Sequence, residues 1–416
     1  MSEHATTQPE AEEAVQLTAR FTAPYARIAD ALAVAEFGVQ SGVTAVAQRG
    51  VLLKTSSNGG SLALTTFDFA TAVTVTVPVD RATTGTSLLD HGQLKKALAA
   101  MVAGETKATA ARTAVSLTGD LLTTEHLTMP IPALELGQFV HPPEPAPTIA
   151  TVQAQQLLTQ AQRVLPAAGT DDTLPALTGV WMTLDGQTLT LSATDRYRFA
   201  VADLPAAIDA TAPQEARSAL IPADTLTRLT KRLKSHQGPV GIGISEDGTP
   251  RVTLTLDATT VTLRQLEGQQ LRHNALFPTT ADTSLTVDRA TALRALKKCH
   301  AMIKAMGGKD SPVTFTWDET TTLTLAPRIG TDEVQARTKG MPLLTTTISG
   351  DTPRGREVSL NPAFLKDALE AFDGATVTLH LRNGTAGGLL KPVLLTAGPH
   401  VTGEDYRHLL MPIRIS

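Results

Sequence analysis

The feature that most constrains this chain is that it repeats itself three times. Three short helical patterns share a start and a leucine register: DHGQLKKALAAM (90–101), PADTLTRLTKRL (222–233) and NPAFLKDALEAF (361–372). Each opens on a residue that starts helices, Asp90, Pro222 or Asn361. A side-chain acceptor or a preset φ suits the first turn. Their equivalent leucines, Leu94, Leu226 and Leu365, stand 132 and 139 residues apart. A second set of helical patterns precedes these, beginning at Phe21, Val152 and Val287, which are 131 and 135 residues apart. A period of that length exceeds any solenoid unit and suits whole domains in tandem.

Around the helices run threonine- and valine-rich alternating stretches such as TAVTVTVPV, VWMTLDGQTLTLSA, RVTLTLDATTVTLRQ and VTFTWDETTTLTLAP. Alternation of that kind makes half-buried strands, and a turn such as LDGQ suits a hairpin. The expected fold class is therefore α+β: three repeated units, each with two helices packed on antiparallel sheet. A flexible tail over 1–18 precedes units over 19–143, 149–278 and 279–416. The proline-rich FVHPPEPAPTIA (139–150) reads as the first linker, and a second junction falls near 276–284.

Composition excludes several classes. The single cysteine, Cys299, allows no intramolecular disulfide framework or multi-cysteine metal site. A lone cysteine fits a reducing compartment, and no apolar run approaches a membrane span. The acidic N-terminus has no hydrophobic stretch of the kind a signal peptide needs. HExxH, GxSxG and P-loop spacings are absent from the sequence. Cys299-His300 sits on a helical pattern, where adjacent side chains diverge and a buried thiol is expected. Neither a catalytic site, a metal nor a cofactor is expected.

Charge is distributed unevenly. The six helical segments carry fourteen lysines and arginines against eight acidic residues, a net of +6, while the chain as a whole carries −4. Candidate cations on a shared basic surface are Lys95, Lys96, Arg163, Arg228, Lys231, Arg232, Lys234, Arg294, Lys297 and Lys298. On any one helix such residues are ordinarily a solvated face. Across all the repeats they suit weak, sequence-independent contact with phosphates.

One stretch resists the strand pattern. LSATDRYRFAVADL (191–204) alternates, yet it sets Asp195 on the apolar side and brackets Tyr197 with Arg196 and Arg198. Asp195 reads as a carboxylate accepting backbone hydrogen bonds where the strand turns. Arg198 either packs along a wall or pairs with a carboxylate.

This stretch, with the preceding DDTLPALTGVWMTLDG, resembles the middle-domain signature of the bacterial DNA sliding clamp, the beta subunit of DNA polymerase III. DYRHLLMPIRIS resembles that family's chain end and SLNPAFLKDALEAF its last helix. The resemblance runs from about residue 19 to 416 and is weakest in the first unit. It implies a non-catalytic processivity factor: a head-to-tail homodimeric ring with helices lining the hole and sheets outside. Twelve helices at ~10 Å spacing leave a hole of roughly 28 Å, wide enough for a duplex. Implied partners are a second copy of the chain, duplex DNA, the polymerase III catalytic subunit, the clamp loader, and other polymerases and repair proteins with clamp-binding peptides. The implied location is the cytoplasm, at the nucleoid, with no membrane.

The resemblance also implies a hydrophobic cleft that takes a short peptide with a glutamine, leucines and a terminal aromatic. Matching positions are Leu177, Thr194, Tyr197, Arg198 and Phe199 from the second unit. From the third come Asn361, Phe364, Pro392, Leu394, Leu409, Leu410, Met411, Pro412, Ile413 and Arg414. Phe199, Leu409, Leu410 and Met411 are expected to floor one apolar pocket; singly, Phe199, Leu409 and Leu410 would be read as core.

The chain departs from the pattern in three places. GQQLRHNALFP (268–278) puts Leu271 and Ala275 where the family has a cleft proline and arginine. FGVQSGVTAVAQRG replaces a first-domain Arg-Pro-Thr-Leu-Pro loop. LTTEHLTMPIP, expected at the dimer seam, carries His126 where an aromatic is common. These departures raise the alternatives of a diverged second clamp with a specialised or resistance role, or a monomeric peptide-binding adaptor that has lost ring closure.

Overall fold

The computed structural model describes residues 17–39, 45–56, 60–210, 215–269, 276–308, 311–317, 322–343, 345–350, 357–382, 391–402 and 405–414. The chain divides into two compact units. One comprises residues up to Ala146 together with Thr253–Arg264; the other comprises Pro147–Val252 together with Gln265 onward.

In the first unit, helices α1 (Tyr25–Ala35) and α2 (His91–Met101) cover an antiparallel sheet. Ile28, Ala31, Leu32 and Ala35 are the buried residues of α1, a one-sided stripe at helical spacing. The sheet runs in the order Gly85–Asp90, Gly50–Thr55, Ser61–Phe67, Thr71–Pro78 and Thr259–Arg264. The last strand comes from the middle of the sequence and pairs Val261 with Val73. Buried His91 ties the helices together, its Nε2 lying 2.9 Å from the Leu32 carbonyl. A second sheet pairs Arg20–Pro24 with Arg81–Thr83 and Ala114–Thr118. The proline-rich linker is fastened at Val140 and Ala146. Fully buried Gln48 accepts from Val140 N at 2.8 Å, and Thr253 Oγ1 accepts from Ala146 N at 2.8 Å.

The second unit holds α3 (Ala154–Val164), α4 (Ala223–Leu233), α5 (Arg289–Ala305) and α6 (Pro362–Glu370). Its main feature is one nine-stranded antiparallel sheet that spans both later repeats. Arg217–Pro222, Gly179–Asp185, Thr188–Thr194 and Arg198–Pro205 lead into the chain-end strand Tyr406–Leu410. Val393–Thr396, Thr376–Leu381, Thr283–Asp288 and Thr345–Gly350 complete it. The junction is the ladder pairing Phe199 with Leu409 and Val201 with Arg407.

The structure is α+β with antiparallel sheets, as the patterning requires. Threonines pair across strands through their hydroxyls, Thr65 with Thr74 at 3.1 Å and Thr286 with Thr378 at 2.9 Å. The LDGQ turn is a two-residue hairpin loop, with Asp185 opposite Thr188 and Gly186 at φ 52. Helix starts differ from the sequence reading. Residues at Phe21, Val152 and Val287 lie in strands, and the helices begin at Tyr25, Ala154 and Arg289. Phe21, Ala23, Val152, Leu285 and Val287 alternate into the core, so tertiary burial overrides the short helical pattern. Asp90, Asp288 and Asn361 cap α2, α5 and α6 through their side-chain oxygens.

Candidate peptide-binding cleft and basic helices

The Asp-Arg-Tyr-Arg stretch is a hairpin turn. Thr194 pairs with Phe199, so residues 195–198 form the loop between two strands. Asp195 Oδ1 accepts from the backbone N–H groups of Tyr197 and Arg198, each at 3.0 Å. Its Oδ2 accepts from Arg198 Nε at 2.9 Å. Thr194 Oγ1 donates to the Arg198 carbonyl at 2.7 Å and accepts from Arg196 N at 3.1 Å. Short polar side chains that satisfy nearby backbone groups in this way set a tight turn locally.

Arg198 reaches outward from that turn to the third repeat. Its Nη1 donates to Asp367 Oδ2 at 2.6 Å, and its guanidinium sits 4.3 Å from the centroid of the Phe364 ring. The side chain is only 10% exposed, held between two carboxylates. Phe364 in turn stacks on Tyr197, with centroids 6.4 Å apart and planes at 28°. Met411 N donates to the Tyr197 carbonyl at 2.8 Å, and Ile413 N to the Ser359 carbonyl at 2.8 Å. Those bonds lay the end segment beside the turn. Tyr197 remains 59% exposed and Met411 44% exposed. These are large apolar groups left open next to a tightly bonded frame.

Behind this surface lies a buried cluster of Phe199, Val201, Phe277, Leu394 and Leu409, with Val401 packed against it. The Phe199 and Phe277 rings lie 5.7 Å apart. The ladder separates residues that were expected to share one floor. Leu409 pairs with Phe199, whereas Leu410 pairs with Arg198, so Leu409 and Leu410 point to opposite faces of the sheet. Leu410 is 1% exposed and belongs to the core, while Met411 is open to solvent.

The other cleft positions fall as follows. Thr194 is half-buried in the turn, and half-buried Pro392 precedes the strand that carries Leu394. Asn361 caps α6, accepting from Ala363 N and Phe364 N. Pro412 and Ile413 are half-buried and Arg414 is exposed. Leu177 ends a short 3-10 turn, Pro175–Leu177, and is not a member of the Phe199 cluster. Leu271 and Ala275 lie outside the described residues. Sequence reasoning missed Asp367 and Phe277. The three-residue spacing of Phe364 and Asp367 on a helix, which puts both on one face, was the available signal for the former. The sequence offers no comparable signal for Phe277.

Among the basic candidates, Lys95, Lys96, Arg228, Lys231, Lys234, Arg294, Lys297 and Lys298 are exposed. Lys95 pairs with Glu36 at 2.6 Å. The side chain of Arg232 lies outside the described residues. Arg163 corrects the sequence reading. Its side chain is 11% exposed, its Nη2 donates to Asp373 at 2.6 Å and its Nη1 to Asp405 at 2.8 Å. It also lies 5.5 Å over the Tyr406 ring, whose hydroxyl donates to the Arg163 carbonyl at 3.2 Å. Two acceptors from the third repeat capture this cation, which makes it a tie between repeats. Burial pushes the Asp405 carboxyl up, but hydrogen bonds from Gln160 and Arg163 outweigh it and hold the group below its usual range.

Tyr406 is fully buried, which raises its phenol, and it contacts His408 Nδ1 at 2.7 Å. Burial lowers His408 to about 3 and His380 to about 4, so both imidazoles are neutral at pH 7. Cys299 is buried, and its thiol is raised to about 11. Among the described residues, no group of three or more metal-ligating side chains is assembled.

Residues 151–270 match the family model for the central domain of the DNA polymerase III beta subunit. The chain is 29% identical to the beta sliding clamp of Streptomyces coelicolor, over 94% of its own length and 97% of that protein. It is 27% identical to GriR of Streptomyces muensis, a beta sliding clamp homolog, over 68% of this chain and 70% of that one. The solved DNA polymerase sliding clamp from Bacillus subtilis superposes with a TM-score of 0.78 at 19% identity, covering 96% of this chain and 100% of that one. The Pseudomonas aeruginosa sliding clamp bound to griselimycin superposes with a TM-score of 0.76 at 17% identity, covering 96% and 100%.

Proposed function

We propose that this chain, similar along nearly its whole length to a bacterial beta sliding clamp, encircles duplex DNA and tethers a replicative polymerase through the surface around Tyr197 and Met411. The observation that carries the tethering is the exposure of those two side chains on a frame fixed by Asp195, Arg198 and Asp367. Large apolar groups held open by a rigid scaffold are what a peptide-binding hot spot requires. Phe364, partly covered by Arg198, supplies the aromatic wall for a leucine or aromatic anchor.

In this reading two copies close head to tail into a six-domain ring, with the second unit contributing the third domain and all of the second but Thr253–Arg264. Lys96, Arg228, Lys231, Lys234, Arg294, Lys297 and Lys298 face phosphates, and Lys95 joins them after exchanging Glu36. Topological closure explains how a chain of net charge −4 holds DNA. The clamp loader and repair proteins use the same apolar surface, and the work is done at the nucleoid. No described helix is long and apolar enough to cross a membrane.

Light scattering tests the ring, and retention on DNA tests the function. The native species should have twice the chain mass of 43.8 kDa. After loading by a clamp loader with ATP it should stay on a nicked circle and slide off once the circle is cut. A strictly monomeric protein at micromolar concentration would favour an adaptor instead. The similarity to GriR supports a second reading, a diverged second clamp beside a housekeeping copy. Replacing the housekeeping gene with this one separates the two: a second clamp of narrowed partner range would not sustain replication.

A further inference from the structure

The turn at the rim of the cleft contains a residue that local geometry does not explain. Arg196 adopts φ 78, the left-handed region that glycine enters freely and residues with a Cβ avoid. Its backbone N–H is satisfied by Thr194 Oγ1. Its side chain is exposed and makes no hydrogen bond or ion pair among the described residues. The neighbouring carboxylate is turned to other partners, the oxygens of Asp195 accepting from Arg198 and from the backbone of the turn and making no ion pair with Arg196. The second arginine of the stretch behaves in the opposite way, being 10% exposed and held by two aspartates. A strained backbone position that presents an open cation, where glycine would turn without strain, marks a side chain kept for what it contacts.

Its surroundings indicate what that contact is. Arg196 directly precedes Tyr197, the most exposed aromatic of the cleft, whose carbonyl fastens Met411. Arg196 is thus the exposed cation that stands next in sequence to the surface a bound peptide would cover. The field of Arg196 is already felt within the chain. Hydrogen bonds from Thr173 are the main reason the exposed carboxyl of Asp171 lies below its usual range, and Arg196 adds to the lowering.

Resting on the cleft reading above, we infer that Arg196 is a specificity-determining residue, selecting partner peptides that carry a carboxylate beside their apolar anchors. The carboxylate replaces water around the guanidinium as the anchors cover Tyr197, and removal of solvent strengthens the pair.

Two labelled peptides with leucine and terminal phenylalanine anchors, identical except for one Asp or Asn next to the leucine, test this by fluorescence anisotropy. The native protein should bind the Asp peptide about twofold to fivefold more tightly, the range of an exposed ion pair. The preference should shrink near 1 M salt, where the Debye length is about 3 Å. Arg196→Gly suits the φ of the turn, so the fold is kept. It should erase the preference by weakening only the Asp peptide, leaving the Asn peptide bound as before. Arg196→Glu should reverse the preference. Equal binding of both peptides to the native protein, or a preference that survives in Arg196→Gly, overturns the inference while leaving the cleft itself standing. If neither peptide binds the folded native protein, the cleft reading fails and takes this inference with it.

Discussion

Replacing Arg163 by methionine removes a charge but keeps a side chain of similar length, which makes it a sharp probe of how the two later repeats are joined. The guanidinium makes three polar contacts, to Asp373 at 2.6 Å, Asp405 at 2.8 Å and Gln160 Oε1 at 3.0 Å. Asp373 is 80% exposed, so that pair contributes only a few tenths of a kcal/mol, as surface pairs do. Asp405 is half-exposed and faces an arginine that is only 11% exposed, so its pair counts for about 1 kcal/mol. The contact with the Tyr406 ring adds about 0.5–1 kcal/mol. Arg163→Met should therefore destabilise the protein by about 2 kcal/mol. Urea unfolding monitored by circular dichroism would show this as a lower midpoint at an unchanged slope. The salt dependence of duplex binding should not change, because this cation is held by protein carboxylates. Lys96→Ala, at an exposed position, should do the reverse, sparing stability and reducing the slope of log K against log salt by about one for each phosphate no longer neutralised. A variant at Arg163 that is as stable as the native protein but shows that reduced slope would refute the reasoning.

Further outcomes follow from the same contacts. The pKa values of His380 and His408 lie below the unfolded value of 6.5, so their contribution is fully present above that pH and declines as pH falls toward about 4 for His380 and about 3 for His408. At pH 5 each should cost about 2 kcal/mol, measurable as a drop in urea midpoint between pH 7 and pH 5; a flat profile would contradict their burial as neutral rings. Cys299, buried and raised to about 11, should resist thiol reagents at pH 8 in the native protein and react promptly in urea. Tyr197→Ala with Met411→Ala should weaken a polymerase-derived peptide about thirtyfold or more, since each truncated anchor typically costs about 1–2 kcal/mol. Its circular dichroism should match the native protein, because both side chains are exposed. Asn361→Ala should remove the α6 cap and about 1 kcal/mol of stability, read from the same urea titration.

What the sequence determined by itself is the local and periodic part of this protein. The alternating threonine strands, the LDGQ hairpin, the capping roles of Asp90 and Asn361, and Asp195 as the acceptor within a turn all follow from interactions a few residues long. Each residue there meets its partner wherever the chain goes, so spacing and side-chain chemistry suffice. What only the tertiary structure decided is which charges are neutralised and which faces are shared. Arg163 looks like any helix-surface cation until Asp373 and Asp405 arrive from 210 and 242 residues away. Arg198 finds Asp367 across 169 residues, whereas Arg196, two positions earlier, makes no ion pair among the described residues and reaches only the exposed Asp171 through its field. Leu409 and Leu410 read alike as apolar neighbours, yet pairing with Phe199 and Arg198 sends them to opposite faces. Partners of that kind are set by strand register and by the packing of distant repeats, and a register shift of one residue would exchange the faces of Leu409 and Leu410.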